Sequence, residues 1–223
     1  MDLTAAIGLS QIKRLNNMIK LRSKNRQLII NKMKNHIRRR LNNMIKTSIF
    51  GGGCFWCTEA IFKKINGVKS VLPGYIGGHI VNPTYEQVCT GTTGHSEVIK
   101  IEYDSSVISF NDLLAVFFST HDPTTLNRQG NDVGTQYRSS IFTNDEDEIK
   151  IIESYISELN LKGTFKNDIV TTIEDNSVFY LAENYHHDYF NLNSNAPYCS
   201  FVIAPKVKKL MDSKSSFIKK INR

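Results

Sequence analysis

Apolar and polar positions in this chain follow two periods, and the period changes many times between one end and the other. Strict alternation predicts a strand, whereas apolar residues three and four positions apart predict a helix. Strands are predicted at 47–50, 68–75, 95–103, 139–143 and 169–173. Helices are predicted at 55–65, 83–88, 109–120, 145–161 and 178–190, with a further basic helix near the C-terminus. These elements predict an α/β (α+β) fold, a sandwich in which helices pack against a mixed sheet.

The first 46 residues form a leader whose charge differs from that of the rest of the chain. The leader holds twelve lysine and arginine residues and one acidic residue, a net charge of +11. The whole chain carries +7, so residues 47–223 carry the difference, −4. The basic charge therefore belongs to the leader, and we expect residues 47–223 to form a single domain that does not bind nucleic acid.

The heptapeptide RLNNMIK occurs twice in the leader, at 14–20 and 40–46. A basic, acid-poor amphipathic segment is typical of organellar transit peptides and of helices that lie on membrane surfaces. A solvated, disordered leader is also compatible with its many asparagines. No apolar run approaches the roughly 18 residues of a membrane span, and we expect no secretory signal. The expected location is the cytoplasm, with mitochondrial import through the leader as the alternative.

The most informative stretch for chemistry begins with three glycines, Gly51–Gly53, and continues as Cys54-Phe55-Trp56-Cys57. The change from a strand pattern to a helix pattern at this point places Cys54 at a helix N-terminus. Free backbone N–H groups and the helix dipole at such a position favour a thiolate. Phe55 and Trp56 would give the sulfur an apolar, aromatic wall that suits a small group such as a methyl.

A second candidate is Glu97, which alternation places on the more apolar face of the strand at 95–103. A carboxyl at the edge of an apolar face has a raised pKa and stays protonated. This is the state that a general acid needs at neutral pH. The long polar loop at 121–138 has few freely solvated charges, so we expect it to form a wall of the same site.

Four cysteines in a chain of this length do not indicate a disulfide scaffold, so we expect a reducing compartment and only a transient, catalytic disulfide. Cys57 follows Cys54 at the spacing of redox dithiols, although its helical position also fits a core cysteine. Cys89 is interpreted as a structural cysteine. His186, His187 and Glu183 lack the spacing of a metal site, and we expect these histidines to form hydrogen bonds near the surface.

Several motifs, in one order along residues 47–210, resemble those of type A peptide methionine sulfoxide reductases. They are Gly53-Cys54-Phe55-Trp56, Gly74-Tyr75 with Gly77-Gly78, Asn82-Pro83-Thr84-Tyr85-Glu86, Thr93-Gly94-His95-Ser96-Glu97, Asp122-Pro123-Thr124, Asn127-Arg128-Gln129-Gly130-Asn131-Asp132 and Gly134-Thr135-Gln136-Tyr137-Arg138-Ser139. The leader lies outside the resemblance. The resemblance implies a two-layer α/β plait and reduction of methionine sulfoxide, in proteins and as the free amino acid.

The resemblance also assigns roles to residues. It implies that Cys54 is the nucleophile, that Phe55 and Trp56 hold the sulfoxide methyl, and that Glu97 is the proton donor. The groups that bind the sulfoxide oxygen or support the acid fall on Tyr85, Asp132 and Tyr137. The family acts on the S epimer, in keeping with one enzyme for each epimer. No cofactor or metal is expected to be bound. The implied partner is an external dithiol, thioredoxin, which reduces the enzyme. We expect the protein to be a monomer.

The thiol that resolves the oxidised nucleophile is left open between Cys199 and Cys57. Family members often carry a resolving cysteine in the C-terminal loop region in which Cys199 is expected to lie, and many have glycine at the position of Cys57. The sequence is also compatible with two other functions. One is general dithiol–disulfide exchange by Cys54 and Cys57, and the other is binding of a partner or membrane by the leader.

Overall fold

The computed structural model of this protein describes residues 14, 18, 20–34 and 44–212. The chain divides into two compact units, Met1–Met44 and Ile45–Arg223. In the first unit residues 20–34 are helical, and the leader's two heptapeptides lie mostly outside the described residues. Within the described ranges, no helix is long and apolar enough to cross a membrane.

The second unit is built on a mixed six-stranded sheet. Its strands are β1 (Ile45–Gly52), β2 (Val68–Ile76), β3 (Ser96–Asp104), β6 (Ser139–Phe142), β7 (Thr172–Glu174) and β8 (Tyr180–Leu181). They lie in the order β7-β6-β1-β3-β2-β8, and only the β6–β7 pair is parallel. The two short strands β4 (Arg128–Gln129) and β5 (Asp132–Val133) form a separate antiparallel ribbon. The expectation of a mixed sheet with helices packed on it is confirmed.

Six α-helices and three other helical turns accompany the sheet. The α-helices are α1 (Phe55–Phe62), α2 (Tyr85–Cys89), α3 (Phe110–Thr120), α4 (Glu146–Leu161), α5 (Tyr189–Leu192) and α6 (Ala204–Asp212). The other turns are 3-10 helices at Thr135–Tyr137 and Asn184–His186 and a π-helix at Cys199–Ile203. These counts cover residues 45–212.

Large apolar side chains form the core between the sheet and helices α1 and α3. Phe50 of β1 lies between Phe62 of α1 and Phe117 of α3, with ring centroids 5.7 Å and 5.0 Å away. All three rings are buried. Burying an aromatic side chain of this size stabilises the fold by about 2–3 kcal/mol. This packing anchors β1 and α1, which meet at Cys54.

The helix predicted at 178–190 is wrong. Tyr180 and Leu181 instead form β8 and pair with Tyr75 and Gly74 at the edge of the sheet. An α-helix begins only at Tyr189, after the 3-10 turn at Asn184–His186, because Asp188 adopts a left-handed conformation with φ 56° that interrupts any continuous helix. The local apolar spacing resembles that of a helix, but pairing with β2 determines the structure. The strand predicted at 169–173 is shifted for a similar reason, since β7 follows its parallel register with β6.

A charged cluster fastens the Asp188 segment to α1. The backbone N–H of Asp188 donates to Oε1 of Glu59 at 2.9 Å. Nζ of Lys63 lies 3.0 Å from the same Glu59 oxygen and 2.8 Å from Oδ1 of Asp188. Because Glu59 is buried, these partners satisfy a carboxylate that would otherwise be costly to desolvate. The cluster holds the chain that follows Asp188 against the helix that begins after Cys54.

Candidate active site

Cys54 occupies the N-cap position of α1, and Gly53 is the one residue between it and strand β1. Gly53 makes this turn possible because its φ is +87°, a conformation that favours glycine. A Cβ atom at Gly53 would lie 2.6 Å from Cβ and Cγ of Gln129. Gly53 therefore lets the ribbon that carries Gln129 pack closely behind the cysteine.

We expect Gly53→Ala to lower both stability and activity. The left-handed backbone costs an alanine about 1 kcal/mol, and the contact with Gln129 adds to this cost and shifts Cys54. Chemical denaturation should show a loss of about 1–3 kcal/mol in the free energy of unfolding. Gly163→Ala is the matched control, since its φ is +59° but its Cβ meets no atom within 4 Å. Equal stability losses, or full activity of Gly53→Ala, would contradict this account.

Glu97, the second residue of β3, brings a buried carboxyl to the start of α1. Its side chain is 1% exposed, and Oε2 accepts a hydrogen bond from the backbone N–H of Phe55 at 3.2 Å. Oε1 is also buried and has no hydrogen-bond partner among the described residues. Burial raises the pKa of Glu97 to about 8, against the opposing effect of the Phe55 N–H. At neutral pH the carboxyl is therefore mostly protonated, as the strand pattern predicts.

Cys54 does not have the depressed pKa that its helical position predicts. The side chain is 8% exposed, and burial raises its pKa well above the ordinary value, helped by the Cys57 hydrogen bond and the charge of Glu97. The helix N-terminus fails to compensate because the Phe55 N–H donates to Glu97, and Cys54 caps no helical N–H with its own side chain. Cys54 is therefore a thiol in the resting protein.

Cys57, one helical turn along α1, is the more acidic of the two thiols. Its pKa is lowered to about 7, first by a hydrogen bond from Cys54 and then, against burial, by the charge of Lys206 and a hydrogen bond from Tyr198. Nζ of Lys206 lies 3.9 Å from Sγ, and the Tyr198 hydroxyl lies 3.8 Å away. The resting dithiol therefore holds its negative charge on Cys57 at pH values above about 7.

Aromatic rings surround the first turn of α1. Trp56 stacks on Tyr189 of α5 with ring centroids 3.8 Å apart and an angle of 7° between the planes. Its Nε1–H donates to Nδ1 of His186 at 3.0 Å. Phe55 contacts His186 and Tyr85, with centroids 5.0 Å and 6.4 Å away. These rings create the apolar wall that the sequence predicts beside Cys54.

Sequence reasoning placed none of His186, Tyr189 and Tyr198 in the site, although all three contact Trp56. His186 forms the expected hydrogen bond, as the acceptor for Trp56, but it is 0% exposed, so the expectation that it lies near the surface is wrong. The only sequence signal was the cluster of His186 and His187 behind Glu183. Glu183 in turn accepts hydrogen bonds from the Tyr75 hydroxyl and the Tyr85 backbone N–H, each at 2.9 Å.

The polar residues suggested by the resemblance converge on Cys54 and Glu97. Tyr85 begins α2, Asp132 lies in β5, and Tyr137 ends a 3-10 turn. Burial raises the pKa of both tyrosine hydroxyls, and the charge of Glu97 raises both further. Both hydroxyls therefore remain hydrogen-bond donors. Oδ2 of Asp132 accepts a hydrogen bond from the Tyr198 hydroxyl at 2.8 Å.

The two remaining cysteines lie in contrasting environments. Cys89, interpreted from the sequence as a structural cysteine, is exposed, and its thiol hydrogen-bonds with the Tyr85 hydroxyl. Cys199 begins the π-helix rather than lying in a loop, and it is 0% exposed. It shares an apolar cluster with Cys54 and Cys57, and burial raises its pKa. In the described part of the chain, no group of three or more histidine, cysteine or acidic side chains could hold a metal ion.

A buried cysteine pair at a helix N-terminus, beside a protonated carboxyl and an aromatic wall, defines a thiol-dependent oxidoreductase. The model of the family described as peptide methionine sulfoxide reductase matches residues 46–218. The chain is 56% identical over 167 residues to the peptide methionine sulfoxide reductase MsrA of Saccharolobus solfataricus, covering 75% of this chain and 93% of that protein. The chain therefore belongs to the peptide methionine sulfoxide reductase family.

Solved structures agree with this assignment. Mxr1 from Saccharomyces cerevisiae in reduced form has a TM-score of 0.66 and 34% identity, covering 70% of this chain and 90% of that one. Methionine sulfoxide reductase A of Corynebacterium diphtheriae has a TM-score of 0.60 and 35% identity, covering 68% of this chain and 76% of that one. The fold and the family both identify this chain as an oxidoreductase, a methionine sulfoxide reductase.

Proposed function

We propose that the chain reduces the S epimer of methionine sulfoxide, in proteins and as the free amino acid, with Cys54 as nucleophile and Glu97 as proton donor. The observation that carries the proposal is the unpartnered, buried Oε1 of Glu97 at the same helix N-terminus as Cys54. A buried polar atom without a partner is costly, and a ligand that supplies one removes the cost. A sulfoxide oxygen is a suitable partner for a protonated carboxyl.

The surrounding groups fit the rest of the sulfoxide. Its methyl group matches the apolar wall of Phe55 and Trp56. Its oxygen, which gains negative charge during the reaction, matches the hydroxyl donors of Tyr85 and Tyr137 together with Glu97. Fixed donors aimed at a developing charge in a dry site stabilise the transition state strongly.

The chemical step uses the Cys54 sulfur as a two-electron reductant. Cys54 sulfur attacks the sulfoxide sulfur while Glu97 gives its proton to the sulfoxide oxygen. The Cys54 proton passes to the Glu97 carboxylate, so the acid is restored. The hydroxyl group then passes from the substrate sulfur to the Cys54 sulfur: the substrate S–O bond and the transient S–S bond break, and a Cys54 S–O bond forms. Methionine leaves, and Cys54 is left as a sulfenic acid. One sulfur is reduced by two electrons and the other is oxidised by two.

Turnover requires the sulfenic acid to be removed. A second thiol condenses with it to form a disulfide and water, and an external dithiol then reduces that disulfide by thiol exchange. We propose thioredoxin as this dithiol, because it reduces protein disulfides through a pair of cysteines. No bound cofactor is needed for these steps, since both electrons come from cysteine sulfur.

A single-turnover reaction tests the proposal. The full chain, reduced and freed of reductant, is mixed with the S or R epimer of a methionine sulfoxide peptide. We expect about one methionine per chain from the S epimer, with two thiols lost, and little from the R epimer. Product is measured by chromatography, and disulfides are mapped by mass spectrometry. Release of no methionine, with all thiols intact, would contradict the proposal and favour general dithiol–disulfide exchange by Cys54 and Cys57.

A further inference from the structure

Lys206 of helix α6 places a cation against the second thiol of the active site. Its Nζ donates to Sγ of Cys57 at 3.9 Å, across 149 residues of sequence. The lysine is half-buried, and among the described residues no carboxylate oxygen lies within 4.0 Å of its Nζ. A partly desolvated ammonium group close to sulfur, without a carboxylate partner, is an arrangement that stabilises a thiolate.

We propose that Lys206 is a positioning residue that holds Cys57 as the second nucleophile, so that Cys57 rather than Cys199 attacks oxidised Cys54. The proposal rests on the function proposed above, because it needs a sulfenic acid at Cys54. It assigns Lys206 a role in the second step, the formation of the disulfide, and not in the reduction of the sulfoxide. It also chooses Cys57 over Cys199 as the resolving thiol, a choice that the sequence leaves open.

The charged and titratable groups that interact with Cys57 come from several elements packed around it. These groups are Cys54 at the start of α1, Glu97 of β3, Asp132 of β5, Tyr198 before the π-helix, Cys199 within it and Lys206 of α6. Asp132 opposes ionisation of Cys57, whereas Tyr198 and Lys206 favour it. The hydrogen bond from the Cys54 thiol also favours it in the resting enzyme. That S–H is lost when Cys54 becomes a sulfenic acid, and Lys206 is then the positive charge that remains beside Cys57.

The resolving step balances with these groups. The Cys57 thiolate attacks the Cys54 sulfur, an S–S bond forms, and the S–OH bond breaks. The departing hydroxide takes a proton from solvent and becomes water. Cys54 and Cys57 share the oxidation, and the external dithiol later supplies the two electrons that restore both thiols. The three-residue spacing on the first turn of α1 is that of redox dithiols, so this bridge needs little movement of the helix.

Cys199 is less suited to make the first attack. It is buried in the same cluster, but no cation among residues 44–212 donates a hydrogen bond to it. Both burial and the negative charge of Cys57 raise its pKa. A thiol that stays protonated reacts slowly, because the thiolate is the nucleophile. The two cysteines therefore differ in how readily they ionise, because Lys206 contacts Cys57.

The decisive experiment compares Lys206→Met with Lys206→Arg and Lys209→Met in single turnover without reductant, from pH 6 to pH 10. Lys209 is exposed and lies on the same helix and beside the same cleft as Lys206. Samples are quenched at intervals with an alkylating reagent, methionine is quantified, and the first disulfide is mapped. Methionine reports the first step and the disulfide reports the second, so the two steps are separated.

We expect Lys206→Met to slow formation of the Cys54–Cys57 bridge roughly five- to tenfold at pH 7, because a smaller fraction of Cys57 is ionised. The difference should disappear above about pH 9.5, where Cys57 is a thiolate with or without the lysine. Lys206→Arg should restore the rate at pH 7, and Lys209→Met should match the wild type. Methionine release should precede the bridge in every variant.

Three results would overturn the proposal. The first is a Cys54–Cys199 bridge that forms before any Cys54–Cys57 bridge in the wild type. The second is a Lys206→Met profile that matches the wild type at every pH. The third is a loss of rate that is equal at all pH values and unrescued by arginine, which would indicate a merely structural lysine. Failure of the wild type to release methionine would instead contradict the proposed function on which this inference rests.

Discussion

Replacing Cys54 by serine should reduce methionine formation by at least roughly a thousandfold, the scale typical of losing a catalytic nucleophile. Serine has nearly the same size, so the N-terminus of α1 keeps its shape and the apolar wall of Phe55 and Trp56 stays in place. A hydroxyl oxygen cannot take up the oxygen of the sulfoxide as cysteine sulfur does. The measurement is the single-turnover yield of methionine from the S epimer, with circular dichroism to show that the variant is folded.

Cys89→Ser is the matched control for this variant. Cys89 is exposed, and a serine there keeps a hydroxyl that can bond with Tyr85. It should release about one methionine per chain at the wild-type rate. Substantial methionine formation by Cys54→Ser would remove Cys54 from the chemical step, whereas equal losses in both variants would indicate that the cysteines act through folding.

Local sequence patterns were sufficient to predict most of the sheet and of the helices, because each element carries its own apolar spacing. The sequence around β3 illustrates this, since alternation gives both its position and the inward side chain of Glu97. Prediction failed where tertiary pairing overrides local preference. Tyr180 and Leu181 lie in a segment with helical spacing, but they form the edge strand beside β2, more than a hundred residues earlier in the chain.

The position of Cys54 was predictable, but its ionisation was not. A helix N-terminus is visible in the local sequence, whereas the use of its free N–H by Glu97, 42 residues away, is not. The same limit applies to the acidity of Cys57, which depends on Lys206 at a separation of 149 residues. The contact between Trp56 and His186 spans 130 residues. Residue identities in this site follow local patterns, but their pKa values follow contacts made only after folding.

Replacing Glu97 by glutamine should lower the rate of the first turnover at least roughly tenfold below pH 8. Glutamine keeps an oxygen that accepts the Phe55 N–H and an amide that donates to the sulfoxide oxygen, but it cannot transfer a proton. The pKa of Glu97 is about 8, so the wild-type carboxyl is protonated below that pH and loses its proton above it. The ratio of wild-type to variant rates should therefore shrink as the pH rises through about 8.

Stability measurements give an independent check on the same carboxyl. In the unfolded chain Glu97 loses its proton near its ordinary pKa of 4.5, whereas in the folded protein it keeps the proton to about pH 8. The folded state therefore binds more protons between these values, and wild-type stability should fall across this range relative to Glu97→Gln, which has no such group. Full activity of the variant at every pH would exclude Glu97 as the proton donor. A stability difference that does not change with pH would show that the carboxyl is not held protonated, and the acid would then have to be sought among the hydroxyls of Tyr85 and Tyr137.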